Sequence, residues 1–193
     1  MTSRHGGSQS QFLTAAKWTL EQYHQMIAAG ILDGCPVELL NGEIIEMSPE
    51  GEPHAYSVST VSDYLKTLLV NRAQVREGHP ITLPTTQSEP EPDIAVVQPL
   101  KQAYRNHHPY PENIFWLIEF ANTSLKKDLD PKANAYAAAG IPEYWIVNLQ
   151  SMELIVLRYP SQGAYQSQAT LTSGTITSLA FPDVAIAVSQ LLN

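Results

Sequence analysis

The sequence predicts an α/β or α+β domain with a central mixed β-sheet and few covering helices. The predicted elements run in the order helix, several strands, helix, strand, and several apolar runs are rich in the β-branched and aromatic residues of buried strands. The length of 193 residues and the 44% hydrophobic content suit one globular domain. We expect residues 1–11 to form a disordered tail and residues 12–193 to form that domain.

The N-terminal third predicts a helix, a hairpin and a longer helix. Thr19 and Gln22 fit a capping box, and Gly30 fits the position just after a helix end. Asn41-Gly42 lies between two strand-like segments, which predicts a β-hairpin. The longer helix is predicted by apolar residues at helical spacing, namely Val58, Val61, Leu65, Leu68 and Leu69.

The rest of the chain predicts most of the sheet and one short helix. Strands are expected at about residues 74–77, 80–84, 92–98 and 113–121. The short helix follows, with Asp130 as its cap, Pro131 in its first turn and Gly140 just after its end. "EYWIVNL" and "MELIVLRYP" predict two neighbouring strands, and two weaker strands and a short apolar end are expected from residue 164 on.

The net charge and the cysteine count disfavour or exclude several classes of protein. The net charge of −8 counts against a protein whose main task is holding nucleic acid electrostatically. It is compatible with a nucleic-acid enzyme, because carboxylates that bind divalent cations also add negative charge. The single cysteine, Cys35, excludes an internal disulfide and a Cys-based zinc cluster. With no apolar signal segment or membrane-length run, we expect a soluble, cytoplasmic protein without membrane association.

Two acidic residues stand at the most informative positions. Glu119 interrupts the apolar run "IFWLIEFA", where a buried carboxylate without a partner would cost several kcal/mol. Asp93 opens the strand "PDIAVVQ", 26 residues earlier. If the two strands are neighbours, the carboxylates meet near one end of the sheet and repel unless a cation lies between them. Mg²⁺ accepts such oxygen ligands.

Lys132 completes this hypothesis, because the helix after the Glu119 strand could bring its ammonium toward the carboxylates. An Asp–Glu–Lys trio of this kind makes a metal-dependent phosphodiesterase site. Each residue also has an ordinary interpretation. Asp93 could be a strand-edge residue, Glu119 could pair with a lysine or arginine, and Lys132 could be a solvated charge.

The segments "EPEPDIAVVQ" and "WLIEFANTSLKKDLDPKANAYAAAGIPEYWIVNLQ" resemble a widespread bacterial family of restriction-endonuclease-like proteins in the PD-(D/E)XK nuclease superfamily. "VELLNGEIIEMSP" and "PHAYSVSTVSDYL" resemble the N-terminal part of that family. The resemblance covers about residues 17 to 165 and is most specific over 89–149. It implies a restriction-endonuclease-like core of α-β-β-β-α-β order, with an extra N-terminal hairpin and extra C-terminal strands.

The resemblance implies a Mg²⁺- or Mn²⁺-dependent endonuclease that hydrolyses phosphodiester bonds of DNA. Asp93 and Glu119 occupy the two acidic motif positions and would bind the metal, together with the backbone carbonyl of Phe120. Lys132 matches a lysine that has moved to the following helix in this family, and it would orient the attacking water.

Further features follow from the same resemblance. Glu38 matches an acid typical of the family, and with His54 at the start of the long helix it would complete the outer site. Relatives of this fold often pair to cut two strands, so a homodimer is expected by analogy. Ala121 stands where the superfamily has lysine, and Asn122 and Gly78 stand where relatives carry Asp and Gln.

Other polar and aromatic residues are expected to have structural roles. Ser124 and Asp128 would organise the turn before the helix, and His107-His108 would belong to a loop. Core or interface positions, rather than a base-stacking surface, are expected for Tyr104, Tyr110, Tyr144 and Trp145. The only tight cationic cluster in the sequence is Lys126, Lys127 and Lys132.

Two rival functions stay open. The first is a non-catalytic binding or assembly module that keeps the nuclease fold, which the acidic charge, Ala121 and Asn122 favour. The second is a metal-dependent hydrolase of a smaller phosphoester.

Overall fold

The computed structural model describes residues 15–122 and 124–192. The expected disordered tail, residues 1–11, lies outside this part of the chain. Among the described residues, no helix is long and apolar enough to cross a bilayer.

The N-terminal elements agree with the sequence prediction. They are α1 (Leu20–Ala28), β1 (Val37–Leu40), β2 (Glu43–Glu46) and α2 (Glu52–Leu68). Thr19 caps α1 with the reciprocal contacts of a capping box to Gln22, and Gly30 adopts a left-handed φ of 71° beyond its end. Asn41 and Gly42 both have positive φ and join β1 to β2, as a tight hairpin turn requires.

A six-stranded mixed sheet forms the centre of the fold. Its strands are β3 (Gln74–Glu77), β4 (Ile94–Val97), β5 (Ile114–Ala121), β6 (Glu143–Asn148), β7 (Glu153–Ser161) and β8 (Ala164–Leu171). They lie side by side in chain order, and all neighbours are antiparallel except β5 and β6, which are parallel. The chain ends in the short elements β9 (Thr175–Ile176), β10 (Ile186–Ala187) and α5 (Val188–Leu191). The predicted mixed sheet flanked by helices is confirmed.

Both faces of the sheet are buried. On one face α2 and α5 cover Val96, Trp116, Ile118, Phe120 and Trp145. On the other face the helical segment that connects β5 to β6 packs on Ala95, Leu117, Ala121, Tyr144 and Ile146. Burial on both sides explains why β5 is almost wholly apolar in sequence. A charged side chain on this strand must therefore find a partner within the protein.

The helical segment after β5 begins earlier than the sequence predicted. It consists of α3 (Leu125–Lys127), a π-helical turn (Asp128–Lys132) and α4 (Ala133–Ala138). The expected start at Asp130 is therefore wrong, and Pro131 lies inside the helical segment rather than in its first turn. Pro131 has no amide hydrogen to donate, so the local hydrogen-bond pattern widens into a π-turn instead of ending the helix.

The strand expected at residues 80–84 is also wrong. Ile81 and Leu83 are buried in the core beneath a loop, which explains the strand-like apolar pattern. Their backbone amides donate to nearby carbonyls, Ile81 to Pro90 and Leu83 to Ser88, and not to a neighbour in the six-stranded sheet. A 3₁₀ turn starts at Pro84, which has no amide hydrogen for a strand ladder.

Candidate active site

Glu119 lies on β5, and Asp93 immediately precedes the adjacent strand β4, at the same end of the sheet. Ile94 of β4 is paired with Ile118 of β5, so Asp93 and Glu119 stand one residue beyond that pair. The Phe120 amide donates a hydrogen bond of 2.6 Å to Asp93 Oδ2, which fixes this carboxylate across the end of the two strands. The neighbouring strands assumed in the sequence analysis are present.

Glu119 is 3% exposed, and protein groups offset its charge. Lys132 Nζ donates to Glu119 Oε1 at 2.8 Å, and the hydroxyl of Tyr136 donates to the same oxygen at 3.0 Å. The ordinary interpretation, in which Glu119 pairs with a lysine, is thus realised in the structure. Tyr136 was not anticipated from the sequence, where it stands one helical turn beyond Lys132.

Lys132 is buried, so its interpretation as a solvated surface charge is wrong. It is the last residue of the π-turn, and its side chain is only 7% exposed. Its Nζ lies 2.8 Å from Glu119 and 3.7 Å from Oε2 of Glu38. The π-turn therefore places this amine between two buried carboxylates.

Glu38 connects the N-terminal hairpin to this cluster. It lies on β1, is 1% exposed, and its Oε1 is 2.8 Å from Lys127 Nζ. Its Oε2 accepts a hydrogen bond of 3.2 Å from the Glu91 amide, two residues before Asp93. Glu38 is thus a buried member of the cluster, where an ordinary position on this short strand would have left it exposed.

His54, near the start of α2, also contacts Asp93. Its Nε2 lies 3.1 Å from Asp93 Oδ2, and its Nδ1 lies 3.6 Å from Glu50 Oε2. Glu50, His54 and Asp93 each offer a ligand atom, and these atoms lie within 4.8 Å of one another. Sequence analysis missed Glu50, although its spacing of four residues from His54 could have indicated it.

Burial and charge set the protonation preferences of the cluster. Burial raises the pKa of Glu119 well above its ordinary value, the Lys132 ammonium opposes this, and Asp93 and Asp128 add to it. Burial disfavours the charge of Lys132, but Glu119 and Glu38 outweigh it and raise the pKa of the amine. Lys132 is therefore a cation at neutral pH. The surrounding carboxylates favour a positive charge at this place.

The pKa values of His54 and Asp128 are also raised. A hydrogen bond to Asp93 raises the pKa of His54 above its ordinary value, against the opposing effect of burial, and the Phe120 carbonyl adds to the increase. Burial raises the pKa of Asp128, whose Oδ2 accepts from the Ser124 hydroxyl at 2.7 Å. Ser124 and Asp128 were expected to organise the turn before the helix; Ser124 directly precedes α3, and Asp128 lies in the π-turn.

These groups line one cleft of about 670 Å³. Its acidic and basic lining comprises Glu38, Glu50, His54, Glu91, Asp93, Glu119, Lys127, Asp128 and Lys132. Asn122 and Gly78, the two neutral positions noted in the sequence, also line it. Tyr144 and Trp145 are fully buried in the core, as expected, and His107 lies in a loop where its ring stacks on Tyr110.

The donor set of the cleft fits a hard divalent cation. Asp93 accepts its hydrogen bonds from Phe120 and His54 on Oδ2, and Glu119 accepts from Lys132 and Tyr136 on Oε1. Within residues 15–122 and 124–192, hydrogen bonds reach each carboxylate on one oxygen, which leaves the second oxygen for another ligand. Carboxylate and carbonyl oxygens are the donors that Mg²⁺ and Mn²⁺ prefer.

The six-stranded mixed sheet flanked by helices is a restriction-endonuclease-like fold, and the candidate site lies at one end of this sheet. Residues 20–189 match the model of the Uma2 family, described as "Putative restriction endonuclease", and the chain belongs to this family.

One solved structure shows the same fold. A crystal structure described as a "putative nuclease belonging to DUF820" from Anabaena variabilis ATCC 29413 is similar with a TM-score of 0.69. The sequences are 17% identical, and the similarity covers 90% of this chain and 97% of that chain. No curated protein sequence matches the chain significantly.

Proposed function

We propose that this protein is an endonuclease that hydrolyses phosphodiester bonds of DNA with Mg²⁺ or Mn²⁺. Membership of the Uma2 family supports a nuclease-like role. The observation that carries the proposal is the pairing of Asp93 and Glu119 in one cleft, each bound to the protein through a single oxygen, beside the buried cation Lys132.

Asp93, Glu119 and the carbonyl of Phe120 would hold the metal. Asp93 is oriented for this by the Phe120 amide and by His54, and Glu119 is oriented by Lys132 and Tyr136. When bound, a divalent cation lowers the pKa of a water ligand and offsets the negative charge of the phosphate.

Lys132 would act as a fixed positive charge. Its raised pKa keeps the amine protonated, so it donates hydrogen bonds and does not accept a proton. From its position beside Glu119 it would orient a water for attack and stabilise charge that develops on the phosphate. Glu38 holds Lys132 and Lys127 from the other side of the cleft, and His54 holds Asp93.

Incubation of the purified protein with supercoiled plasmid and Mg²⁺ or Mn²⁺ tests the proposal. The protein should nick or linearise the DNA only with the metal, and Asp93→Ala should abolish cleavage while the fold is retained by circular dichroism. Absence of turnover in both proteins would contradict the proposal and favour a binding module. Turnover on small phosphate esters without DNA cleavage would contradict it in favour of a hydrolase of smaller substrates.

A further inference from the structure

Most cations of the described chain are already paired with a carboxylate. Ion pairs are formed by Lys17, Lys66, Arg72, Lys127, Lys132 and Arg158. Within residues 15–122 and 124–192, no ion pair is formed by Arg76, Lys101, Arg105 or Lys126. In a protein of net charge −8, cations without acidic partners are the ones available to an external anion.

Three of these four cations belong to one surface. Lys101 and Arg105 are exposed and lie on a 3₁₀ helix, Lys101–Arg105, in the loop between β4 and β5. The guanidinium of Arg76, on the edge strand β3, lies 5.4 Å from the ring centre of Tyr104 on the same 3₁₀ helix. We call Arg76, Lys101, Tyr104 and Arg105 the basic loop surface.

Arg76 is held half-buried without a carboxylate. Its Nε is buried and has no hydrogen-bond partner among the described residues. Burial lowers the pKa of the guanidinium, and the nearby Tyr104 only partly opposes this. A desolvated guanidinium of this kind gains a great deal from an added anion, because an unpaired buried charge is costly.

The loop that carries this surface is fixed in place. The Tyr104 hydroxyl donates to the Gln98 carbonyl at 2.9 Å, and His107 packs edge-to-face on Tyr104 and stacks on Tyr110. The Thr82 amide donates to the Pro109 carbonyl at 2.9 Å, which joins the loop to the segment leading to Asp93. The backbone of this loop therefore needs little further ordering on binding.

The basic loop surface begins close to the cleft. Arg76 is paired across the sheet with Ala95, and Asp93 lies two residues before Ala95. Two residues beyond Arg76, the Gly78 amide donates to the Asp93 carbonyl at 3.0 Å. The strand that carries Arg76 therefore runs directly beside the segment that carries Asp93.

We propose that the basic loop surface binds the phosphate backbone of DNA next to the cleft and so holds the strand across Asp93. This inference rests on the proposed function, since it names how the substrate of that cleft is gripped. Arginine and lysine contacts to phosphates supply sequence-independent affinity and position the duplex. This surface cannot be recognised from the sequence alone, because a whole strand and a loop separate Arg76 from Lys101 and Arg105.

Equilibrium binding to a short fluorescent DNA duplex, measured by anisotropy in EDTA over a range of salt concentrations, tests this inference. Without divalent metal there is no cleavage, so binding is read separately from activity. The double variant Lys101→Ala/Arg105→Ala should bind about tenfold more weakly at low salt, and its salt slope should be smaller by about 2. Both side chains are exposed, so the melting temperature should stay near that of the wild type.

The matched control is Lys17→Ala/Lys66→Ala, which removes the same charge from two exposed lysines that already have glutamate partners. It should keep its affinity within about twofold. Equal affinity of wild type and Lys101→Ala/Arg105→Ala would overturn the inference, and an acidic protein would then be the partner to test. An equal loss in the control would also overturn it, because bulk charge alone would explain the binding.

Plasmid cleavage by the wild type and Asp93→Ala, measured in parallel, keeps the two proposals distinguishable. Cleavage that depends on Asp93 would support the proposed function. Unchanged DNA affinity in Lys101→Ala/Arg105→Ala would at the same time show that the basic loop surface does not bind the DNA. A smaller salt slope in Lys101→Ala/Arg105→Ala than in the wild type, with no cleavage by any of the proteins, would support DNA binding by the basic loop surface and contradict the proposed nuclease activity. A wild type that binds no DNA in EDTA would overturn the basic loop surface.

Discussion

Glu119 and Glu143 are buried carboxylates on adjacent parallel strands, and the protein uses them differently. Glu143, at the start of β6, is 0% exposed and has protein donors on both oxygens. Its Oε1 accepts from Trp145 Nε1 and Arg158 Nε, each at 2.7 Å, and its Oε2 accepts from the Leu179 amide at 2.7 Å. Glu119, near the end of β5, receives both its donors on one oxygen and lines the cleft.

The difference shows that burial alone does not mark a functional carboxylate. Glu143 ties β6 to β7 through Arg158 and also to the C-terminal segment, so its charge is fully used inside the protein. Glu119 lines a cleft together with Asp93, Glu38 and Asp128, and the hydrogen bonds to it from the described residues all reach Oε1. The number of oxygens that the protein itself satisfies distinguishes a structural acid from a candidate ligand.

The largest expected effect is on activity, in Glu119→Gln. Glutamine keeps the shape of the side chain and can accept from Lys132 and Tyr136, but it removes the charge offered to a cation. Metal-dependent plasmid cleavage should fall by about a hundredfold or more. Glu143→Gln, the control, neutralises an equally buried acid and should keep cleavage per folded molecule near the wild-type rate. Full activity of Glu119→Gln would show that the charge of Glu119 is no more necessary for cleavage than that of Glu143.

The next effect is on stability, in Glu143→Ala. This variant removes the partner of Arg158, whose side chain is 22% exposed, together with the acceptor of Trp145 Nε1 and the Leu179 amide. Breaking such a pair should lower the free energy of unfolding by about 3–5 kcal/mol. Urea denaturation measures this loss. A loss below about 1 kcal/mol would show that Glu143 is not the structural counterpart of Glu119.

The smallest effect is expected for Glu77, an acid at the protein surface. Lys66 and Ser62 donate to Glu77 Oε1 at 2.5 and 2.6 Å. Burial would raise the pKa of Glu77, but these two donors outweigh it and lower the pKa below its ordinary value. Stabilisation by Glu77 is therefore present above the unfolded pKa of about 4.5 and is lost as the pH falls through the lower folded pKa.

Glu77→Gln should thus cost less than about 1 kcal/mol at pH 7, because the pair is partly exposed and screened by solvent. Urea denaturation at pH 7 and at pH 3 measures the change, which should shrink at the lower pH. A cost that stays constant between the two pH values would show that the Glu77 charge does not contribute.

Local patterns predicted the sheet and the positions of its acids well. The apolar run of β5, the hairpin turn at Asn41-Gly42 and the capping box of α1 each depend on neighbouring residues, which a sequence displays directly. That the segments carrying Asp93 and Glu119 are neighbours was assumed in the sequence analysis and implied by the family resemblance, and the pairing of β4 with β5 agrees with it. Reasoning from local patterns failed at residues 80–84, because buried apolar residues under a loop alternate as a strand does.

The partners within the cleft could not be predicted, because they depend on the packing of distant segments. Pro131 normally marks the first turn of a helix, and here it lies in a π-turn that buries Lys132 between Glu119 and Glu38. The Glu38 contact joins residues far apart in the chain. Arg158, which neutralises Glu143, follows it by 15 residues through a hairpin register that the sequence indicates only as two neighbouring strands.

Binding of Mn²⁺ without DNA, followed by isothermal titration calorimetry, tests most directly whether Asp93 and Glu119 hold a divalent cation. The wild type and Glu143→Gln should show the same saturable site. Asp93→Asn and Glu119→Gln should each weaken it at least about tenfold, since each removes a charged ligand. Unchanged Mn²⁺ affinity in Asp93→Asn and Glu119→Gln, or an equal loss in Glu143→Gln, would contradict this account of the cleft.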